Sequence, residues 1–376
     1  MTEYYKLYAF THSLYSGRAR SYLIKSGIPF QELSTGHESF KSEVLPKGKL
    51  PTIPTLVTPE GEVIRDGGNI IEHFEAARGR PFQPLTPRQQ IVSALFALIG
   101  TDGLLRPAMH YRWNFLEQNE QFSHYHFLHS QRHTETREEK TRYMMGKMQN
   151  AAQLWGVNEK TIPLVESLYR EYLDALNNHL ETVPYLLGWK PSIGDFGLLA
   201  PMYAHLGRDP VPANLMKQNA IRVFRWVERM NRADQDAAEF FDAEDDYLAD
   251  DLIPDSLIAV MKIIAEDLVP ETRAVAEVIN HWLRENSPAP GTAVQELLAQ
   301  GNYGMAQFEV RGQSLSSICG TYRFAMLQRM QELFAALDKD GQRAVQTLFA
   351  DCGLEPMLSI QLDRQLGWSA NQHIWL

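Results

Sequence analysis

The first 80 residues alternate short apolar runs with amphipathic stretches, a pattern typical of a small mixed α/β domain. Residues 4–10 are rich in aromatic side chains and predict a strand that ends at a polar turn. A helix is predicted from Gly17 to Ser26, and Gly27 favours the left-handed conformation that often ends helices. The next predicted elements are a strand at 28–33, a short helix at 38–45, strands at 52–58 and 62–64, and a helix at 68–77.

The rest of the chain is predicted to be mainly helical. Pro81, Pro84 and Pro87 predict a stiff, extended connector after the first domain. Apolar residues then recur at helical spacing to about residue 235, and Ser192 with Asp195 has the spacing of a helix-capping box.

Charge and periodicity divide the chain further. Residues 232–251 hold nine acidic residues and one basic residue, which favours a solvated linker or loop over a core element. Beyond it, the clearest helix is predicted from about Leu315 to Leu337. We therefore expect an α/β domain at 1–80, an all-helical domain at 88–235 and a mainly helical extension at 236–376.

Composition and charge exclude several classes of protein. Lys and Arg total 36 against 46 Asp and Glu, and the net charge of −10 disfavours nucleic acid and anionic membranes as partners. Cys319 and Cys352 form no C-x-x-C pair, so neither a disulfide framework nor a zinc ribbon is predicted. Neither a signal region nor a long uncharged apolar run is evident. We expect a cytoplasmic protein with neither nucleic-acid nor membrane partners.

The start of the first helix carries the first candidate chemistry. The first 80 residues have the strand order of a thioredoxin fold, which places a C-x-x-C pair at this helix N-terminus. Ser13 and Ser16 stand at those two positions, so thiol–disulfide exchange is excluded. A hydroxyl beside helix amides can still hydrogen-bond a bound thiolate and favour its ionised form. The alternative is that one of the two serines simply caps the helix.

Two further segments have the features of a binding site for a peptide-like ligand. A cis peptide bond before Pro54 would expose the backbone N–H and C=O of Ile53, where a ligand backbone could pair as one more strand. Asp66 and Gly67 precede a helix whose first amides can bind a carboxylate, while the Asp66 side chain accepts from an ammonium group. The same residues are also compatible with an ordinary turn at a helix start.

Together these signals resemble the glutathione S-transferase superfamily over about residues 4–232. The resemblance rests on the hydrophobic-Pro-x-Leu strand at 53–56, the acidic helix start after it, the proline-rich connector, and Pro-Ser-x-x-Asp-Phe at 191–196 in the helical domain. The segment 13–20 looks most like the serine-type and omega-like bacterial classes, whose catalytic Ser or Cys falls at Ser13. The resemblance implies a thioredoxin-like domain followed by an all-helical domain, glutathione as cosubstrate, no metal, and a homodimer.

The resemblance also implies roles for individual residues. Ser13 would activate the glutathione thiol, Ile53 would pair with the cysteinyl backbone, and Asp66 would hold the γ-glutamyl end. Family members usually carry Ser or Thr where this chain has Gly67, so the lost hydroxyl is expected to weaken glutathione binding about tenfold. The expected glutathione contacts are Ser13, Tyr15, Ser16, Ile53, Pro54, Asp66 and Gly67.

A second-substrate pocket is expected on the first long helix of the helical domain. Its predicted lining residues, which would bind an aromatic or anionic electrophile, are Arg106, His110, Tyr111 and Trp113. An amphipathic aromatic stripe on a helix kinked at Pro107 accounts for the same residues without a ligand.

Two functions therefore remain open. The first is attack of a bound glutathione thiolate on a small electrophile. The second is a noncatalytic binding or scaffold role, favoured by Gly67 and by the C-terminal extension. His129 and His133 lie one helical turn apart, but neither a third ligand nor an H-E-x-x-H motif is present in the sequence around them, so we expect no metal.

Overall fold

The N-terminal domain is a four-stranded sheet with helices packed on it. The computed structural model describes residues 4–241, 244–295 and 303–376. The strand order is β2-β1-β3-β4, with β1 parallel to β2 and antiparallel to β3, and β3 antiparallel to β4. The strands are β1 (Tyr5–Tyr8), β2 (Phe30–Leu33), β3 (Thr55–Val57) and β4 (Val63–Arg65). This is a thioredoxin-like domain, as the sequence predicted.

Side-chain alternation explains why β1 forms the centre of this sheet. Leu7 faces the main core and Tyr8 faces a smaller cluster with Phe40 and Val63, and both are fully buried. A π-helical turn at Phe40–Val44 covers the second cluster. The helices of this domain are α1 (Ser16–Lys25), α2 (Leu45–Gly48) and α3 (Gly67–Ala77).

An all-helical region follows the sheet domain. Its first helix, α4 (Pro87–Leu98), is apolar on its buried face, where Ile91, Leu95 and Leu98 are fully buried. The capping-box prediction is confirmed, because the Asp195 carboxylate accepts from the Ser192 backbone N–H at 2.8 Å. The helices are α4 (Pro87–Leu98), α5 (Leu105–Trp113), α6 (Leu116–Ser130), α7 (Arg137–Ala151), α8 (Ile162–His179), α9 (Ile193–Ala204), α10 (Pro210–Asn219) and α11 (Ile221–Arg229).

One segment of the described residues is long and apolar enough to cross a membrane by length and composition. It is Pro87–Trp113, with a mean hydropathy of 1.4 over its most apolar window. Because 83% of that window is buried inside the protein, its composition is that of a helix in the centre of a helical domain.

The described residues of the C-terminal extension include three long helices and two β-hairpins. The predicted helix at 315–337 is wrong in its first part, where Gln313–Ile318 is a strand. The buried positions of this strand, Leu315 and Ser317, are two residues apart, and a turn at Arg311 and Gly312, both with positive φ, pairs the strand with the preceding one. The elements are α12 (Asp255–Asn286), β5 (Met305–Val310), β6 (Gln313–Ile318), α13 (Tyr322–Ala336), α14 (Lys339–Cys352), β7 (Leu366–Ser369) and β8 (Gln372–Trp375).

The extension shares one hydrophobic core with the other two regions. Helix α12 packs along α8, and both α13 and α14 pack against α4. A buried ion network reinforces this packing: Arg106 on α5 pairs with Glu271 on α12 at 2.6 Å, and Glu271 pairs with Arg323 on α13 at 2.7 Å. Because the paired groups are almost fully buried, removing one of them would leave an uncompensated charge in the interior.

The described part of the acidic stretch is a mostly exposed loop that is held to the helices at a few points. Arg225 pairs with Glu239 at 2.7 Å, and Leu248 N–H donates to Leu187 O at 2.8 Å. The Asp251 carboxylate accepts from the backbone N–H groups of Arg88 and Gln89, each at 2.9 Å, and so caps the start of α4. The prediction of a solvated linker or loop in place of a core element is confirmed over its described residues.

Candidate functional site

Ser13 lies in the turn between β1 and α1. Its backbone N–H donates to Phe10 O at 3.0 Å, and its carbonyl accepts from Ser16 N at 3.3 Å. The residue is half-buried, and within the described parts of the chain its hydroxyl has no hydrogen-bond partner. The alternative of a simple helix cap is therefore not supported, and the hydroxyl remains available to a ligand at the start of α1.

Buried polar groups fix the position of the turn between β1 and α1. The Arg112 guanidinium donates to His12 O at 2.9 Å and forms an ion pair with Asp209 at 2.6 Å. Burial and the nearby Arg112 hold the pKa of His12 well below its usual range, so the imidazole is neutral. Sequence reasoning missed Arg112, because nothing in its local pattern indicates a contact 100 residues away.

Tyr15 and Ser16 differ in accessibility. Tyr15 is 39% exposed, and its ring packs edge-on against that of Tyr322 on α13, with 6.5 Å between ring centroids. Ser16 is fully buried, and its hydroxyl has no partner among the described residues. Of the two predicted contact residues, only Tyr15 is open to a ligand in this conformation.

The segment at Ile53 presents open backbone groups. The Ile53–Pro54 peptide bond is cis. The Ile53 N–H and C=O are hydrogen-bonded to no group within the described residues, and the side chain is half-buried. Pro54 O accepts from Asp66 N at 3.1 Å, which places the start of α3 beside this segment. An extended ligand could therefore pair with Ile53 and reach Asp66.

Three donors already satisfy the Asp66 side chain. Asp66 has a φ of 83° and caps α3, accepting from Gly68 N at 2.9 Å and Asn69 N at 3.2 Å. Its second carboxylate oxygen accepts from the Tyr322 hydroxyl of α13. Burial and the neighbouring Asp66 charge raise the pKa of Tyr322, so this hydroxyl stays protonated and remains a donor. Asp66 is thus a helix cap as well as a candidate binding residue.

Gly67 is buried beneath the side chain of Arg18. A Cβ atom at position 67 would lie 2.6 Å from both Cγ and Cδ of Arg18. The Arg18 guanidinium is fixed by bonds to Ala97 O at 3.0 Å and Thr101 Oγ1 at 2.8 Å. Arginine methylene groups therefore fill the space in which a serine or threonine side chain would otherwise project.

The four predicted pocket residues on α5 are buried within the helical core. Arg106 is committed to Asp267 and Glu271 of the extension, and His110 Nε2 lies 2.9 Å from Glu166 Oε1. All four side chains are at most 4% exposed, the other two being Tyr111 and Trp113. Tyr111 packs against Tyr169 of α8 and Trp113 packs against Phe127 of α6, so the protein interior engages all four side chains.

The extension supplies contacts to the site region that sequence reasoning missed. Besides Tyr322, Arg329 of α13 donates to the Asn69 side chain at 2.5 Å. In the turn of the last hairpin, Asn371 accepts from Arg65 N at 3.2 Å and donates to Val63 O at 2.8 Å, so it pairs with the free edge of β4. The one signal in the sequence was the apolar character of residues 368–376. It indicates that this segment packs against the rest of the protein but does not show where.

The groups around Ser13 and Ile53 are a hydroxyl and backbone N–H and C=O groups, which can form hydrogen bonds to an extended ligand. Within the described residues, no group of three or more His, Cys, Asp or Glu side chains is arranged to hold a metal ion.

The N-terminal domain is thioredoxin-like, with serines at the two positions of the redox cysteines and unpaired backbone groups at Ile53. An all-helical domain follows it in the chain. Residues 7–82 match the family model of the glutathione S-transferase N-terminal domain. This part of the chain is therefore similar to the N-terminal domain of glutathione S-transferases. No curated protein matches the chain by sequence.

Solved structures with similarity to this chain are glutathione S-transferases and related proteins. A glutathione S-transferase from Xanthobacter autotrophicus Py2 is 19% identical, with a TM-score of 0.36 over 60% of this chain and 91% of that one. A glutathione S-transferase from Methylobacterium radiotolerans, in complex with glutathione sulfonate, is 15% identical, with a TM-score of 0.37 over 65% and 99%. The beta-etherase LigF from Sphingobium sp. strain SYK-6 is 15% identical, with a TM-score of 0.41 over 63% and 98%.

Proposed function

We propose that this protein binds glutathione along Ile53 and Asp66 and uses the Ser13 hydroxyl to hold the thiol as a thiolate. The observation that carries the proposal is the unpartnered Ser13 hydroxyl at the start of α1, together with the unpaired backbone groups of Ile53, as far as the described residues extend. A hydroxyl that donates to sulfur stabilises the anion, and the amide end of α1 adds to this effect. The pKa of the bound thiol falls as a result.

The reaction that follows is nucleophilic attack on a small electrophile. The sulfur lone pair forms a bond to the electrophilic carbon, and the leaving group departs with its electron pair, so charge and atoms balance. The chain contributes position and thiol pKa rather than a covalent intermediate. Two features support the binding mode. The unpaired backbone groups of Ile53 are available to pair with the cysteinyl backbone of glutathione. The Asp66 carboxylate can accept a hydrogen bond from the γ-glutamyl ammonium group if the Tyr322 hydroxyl shares the carboxylate oxygen or moves away from it.

We also propose that the protein is cytoplasmic and forms a homodimer. Because α13 lies over parts of α3 and α4, a dimer has to form through other faces of the molecule. The electrophile is not specified by the α5 residues, which are buried and paired.

A noncatalytic binding role is the second candidate. The observation that favours it is the saturation of Asp66 by Gly68, Asn69 and Tyr322, together with Arg18 in the space above Gly67. In this case the fold is retained while the γ-glutamyl position is closed by the protein's own groups.

Calorimetric titration with glutathione and turnover of chlorodinitrobenzene separate the two functions. The full-length protein is expected to bind glutathione, and Ser13→Ala is expected to lower turnover by about tenfold or more while changing glutathione affinity little. Ser42→Ala is the matched control, because Ser42 is exposed and bonds only to Glu38 O among the described residues. Absence of binding at millimolar glutathione favours the noncatalytic role. Equal turnover in the wild type and Ser13→Ala contradicts the proposed mechanism.

A further inference from the structure

Helix α13 of the extension reaches the end of the proposed site at which Asp66 would bind a ligand amino group. The Tyr322 hydroxyl donates to the Asp66 carboxylate. The Tyr322 ring packs edge-on against the rings of Tyr15 and His373, with 6.5 and 5.9 Å between ring centroids. These contacts fix the phenol in place beside the carboxylate.

The Asp66 carboxylate has little capacity left for a ligand ammonium group. One of its oxygens accepts from the backbone N–H groups of Gly68 at 2.9 Å and Asn69 at 3.2 Å, and the other accepts from the Tyr322 hydroxyl. A carboxylate offers about four lone-pair positions, so three of them are engaged within the protein. A ligand ammonium group would exchange its water for an oxygen that it shares with a phenol, and this exchange gains little free energy.

Three arginine side chains lie close to this carboxylate. Arg65 precedes it in the chain, the Arg18 methylene groups lie over Gly67, and Arg329 Nη1 lies 3.1 Å from the position of a Cβ on Gly68. All three guanidinium groups donate to neutral acceptors, and none forms an ion pair with a carboxylate of the described residues. One carboxylate among three guanidinium groups leaves a positive net charge, which is unfavourable for a ligand ammonium group.

The Tyr322 phenol satisfies Asp66 without adding a further positive charge. Burial and the Asp66 charge raise the pKa of Tyr322, whereas Arg18 and Arg329 act in the opposite direction. Because burial and Asp66 dominate, the phenol stays neutral and remains a donor to the carboxylate. A neutral donor therefore stands where the resemblance to the family implied a ligand ammonium group.

We propose that Tyr322 sets the ligand specificity of the thiol site, which prefers a thiol peptide that carries no ammonium group at the end near Asp66. This inference rests on the proposed function, because Ser13 and Ile53 place the ligand there. It gives the extension a role in the choice of ligand. Glutathione is accepted for its thiol and its peptide backbone, and its amino group does not contribute to binding.

Calorimetric titration of the full-length protein with two thiols tests this preference. Glutathione carries the γ-glutamyl ammonium group, whereas glutaryl-cysteinyl-glycine has a hydrogen atom in its place and keeps both carboxylates. The wild-type protein is expected to bind the amino-free thiol about fivefold more tightly, because the arginines repel the ammonium group. Equal affinity for the two thiols, or tighter binding of glutathione, would overturn the inference.

Tyr322→Phe removes the competing hydroxyl and keeps the ring in its contacts with Tyr15 and His373. Its affinity for glutathione is expected to rise about tenfold, the effect of one charge-assisted hydrogen bond to the freed carboxylate oxygen. Its affinity for the amino-free thiol is expected to stay unchanged. Tyr143→Phe is the matched control, because Tyr143 is exposed on α7 and its hydroxyl forms no hydrogen bond among the described residues.

A second substitution assigns the gain in affinity to Asp66. Asp66→Asn, added to Tyr322→Phe, keeps a side chain that caps helices and removes the negative charge, so it is expected to abolish the gain. A gain that persists in the double variant, or a ratio of the two affinities that is the same in the wild type and Tyr322→Phe, refutes this inference alone. If neither thiol binds to any of these proteins, the proposed function fails and the inference fails with it, so the two failures are distinguishable.

Discussion

At the residue scale, Gly67 and Arg18 form one unit. The Arg18 side chain passes over Gly67, and its guanidinium donates hydrogen bonds to Ala97 O on α4 and to Thr101 in the π-helical turn Ile99–Gly103. A side chain at position 67 would occupy the space of the arginine methylene groups. The departure from the family pattern at Gly67 therefore has a steric cause. The absence of a hydroxyl at position 67 therefore does not by itself imply that glutathione binding has been lost.

This pairing gives a stability prediction. Gly67→Ser places Cβ against the fixed methylene groups of Arg18 and is expected to lower the free energy of unfolding by about 1–3 kcal/mol, as overpacking does. Gly146→Ser is the matched control, because a Cβ there meets nothing within 4 Å among the described residues. Urea denaturation of both variants measures the difference. Equal stability of the two would show that Arg18 moves freely and that the steric explanation is wrong.

Individual site residues could be predicted where their chemistry is local. The turn position of Ser13, the bond before Pro54 and the capping place of Asp66 all follow from residues within a few positions in the chain. Tyr322 could not be predicted, because its contact with Asp66 spans 256 residues and leaves no trace in either local pattern. The burial of the α5 residues was missed for the same reason: their partners lie on α6, α8 and α12.

At the element scale, the last hairpin completes the edge of the N-terminal sheet. Strand β4 is an edge strand, and Asn371 satisfies backbone groups that another strand would otherwise bond. Arg65 adds a bond to Asn371 O at 2.6 Å and lies over the Trp368 ring, 5.3 Å from its centroid. The hairpin therefore holds the extension against the sheet.

Asn371→Gly tests this contact without changing the turn. Asn371 has a φ of 62°, which glycine tolerates, so the variant removes the side-chain bonds alone. The free energy of unfolding is expected to fall by about 1–3 kcal/mol. Ala370→Gly is the control, because this neighbour is exposed with a φ of 46° and its methyl side chain forms no hydrogen bond. If both variants unfold at the same urea concentration, the hairpin contact is not stabilising.

Element type was predictable where the period was long and regular, as in α1, α3 and α4. It failed over 315–318, where Leu315 and Ile318 stand three residues apart, a spacing that also suits a helix. The contacts of the acidic loop with Arg88 and Arg225 could not be predicted, because net charge says nothing about arginines supplied by other helices.

At the scale of the whole molecule, the extension is an integral part of the fold. It shares the hydrophobic core, contributes Glu271 and Arg323 to a buried ion network, and covers faces of α3 and α4. It also provides the Tyr322 hydroxyl at Asp66. Truncation before α12 would therefore expose core and leave Arg106 without its partners.

The central claim is that the Ser13 hydroxyl stabilises a bound thiolate, and the pKa of glutathione on the protein measures this directly. Ultraviolet titration of the thiolate absorbance is expected to place the pKa of the bound thiol at least about one unit below that of the free thiol. In Ser13→Ala the pKa is expected to rise by about one unit, equivalent to about 1.4 kcal/mol for the lost hydrogen bond. A bound thiol that titrates as free glutathione does, or one whose pKa is the same in both proteins, would contradict the account.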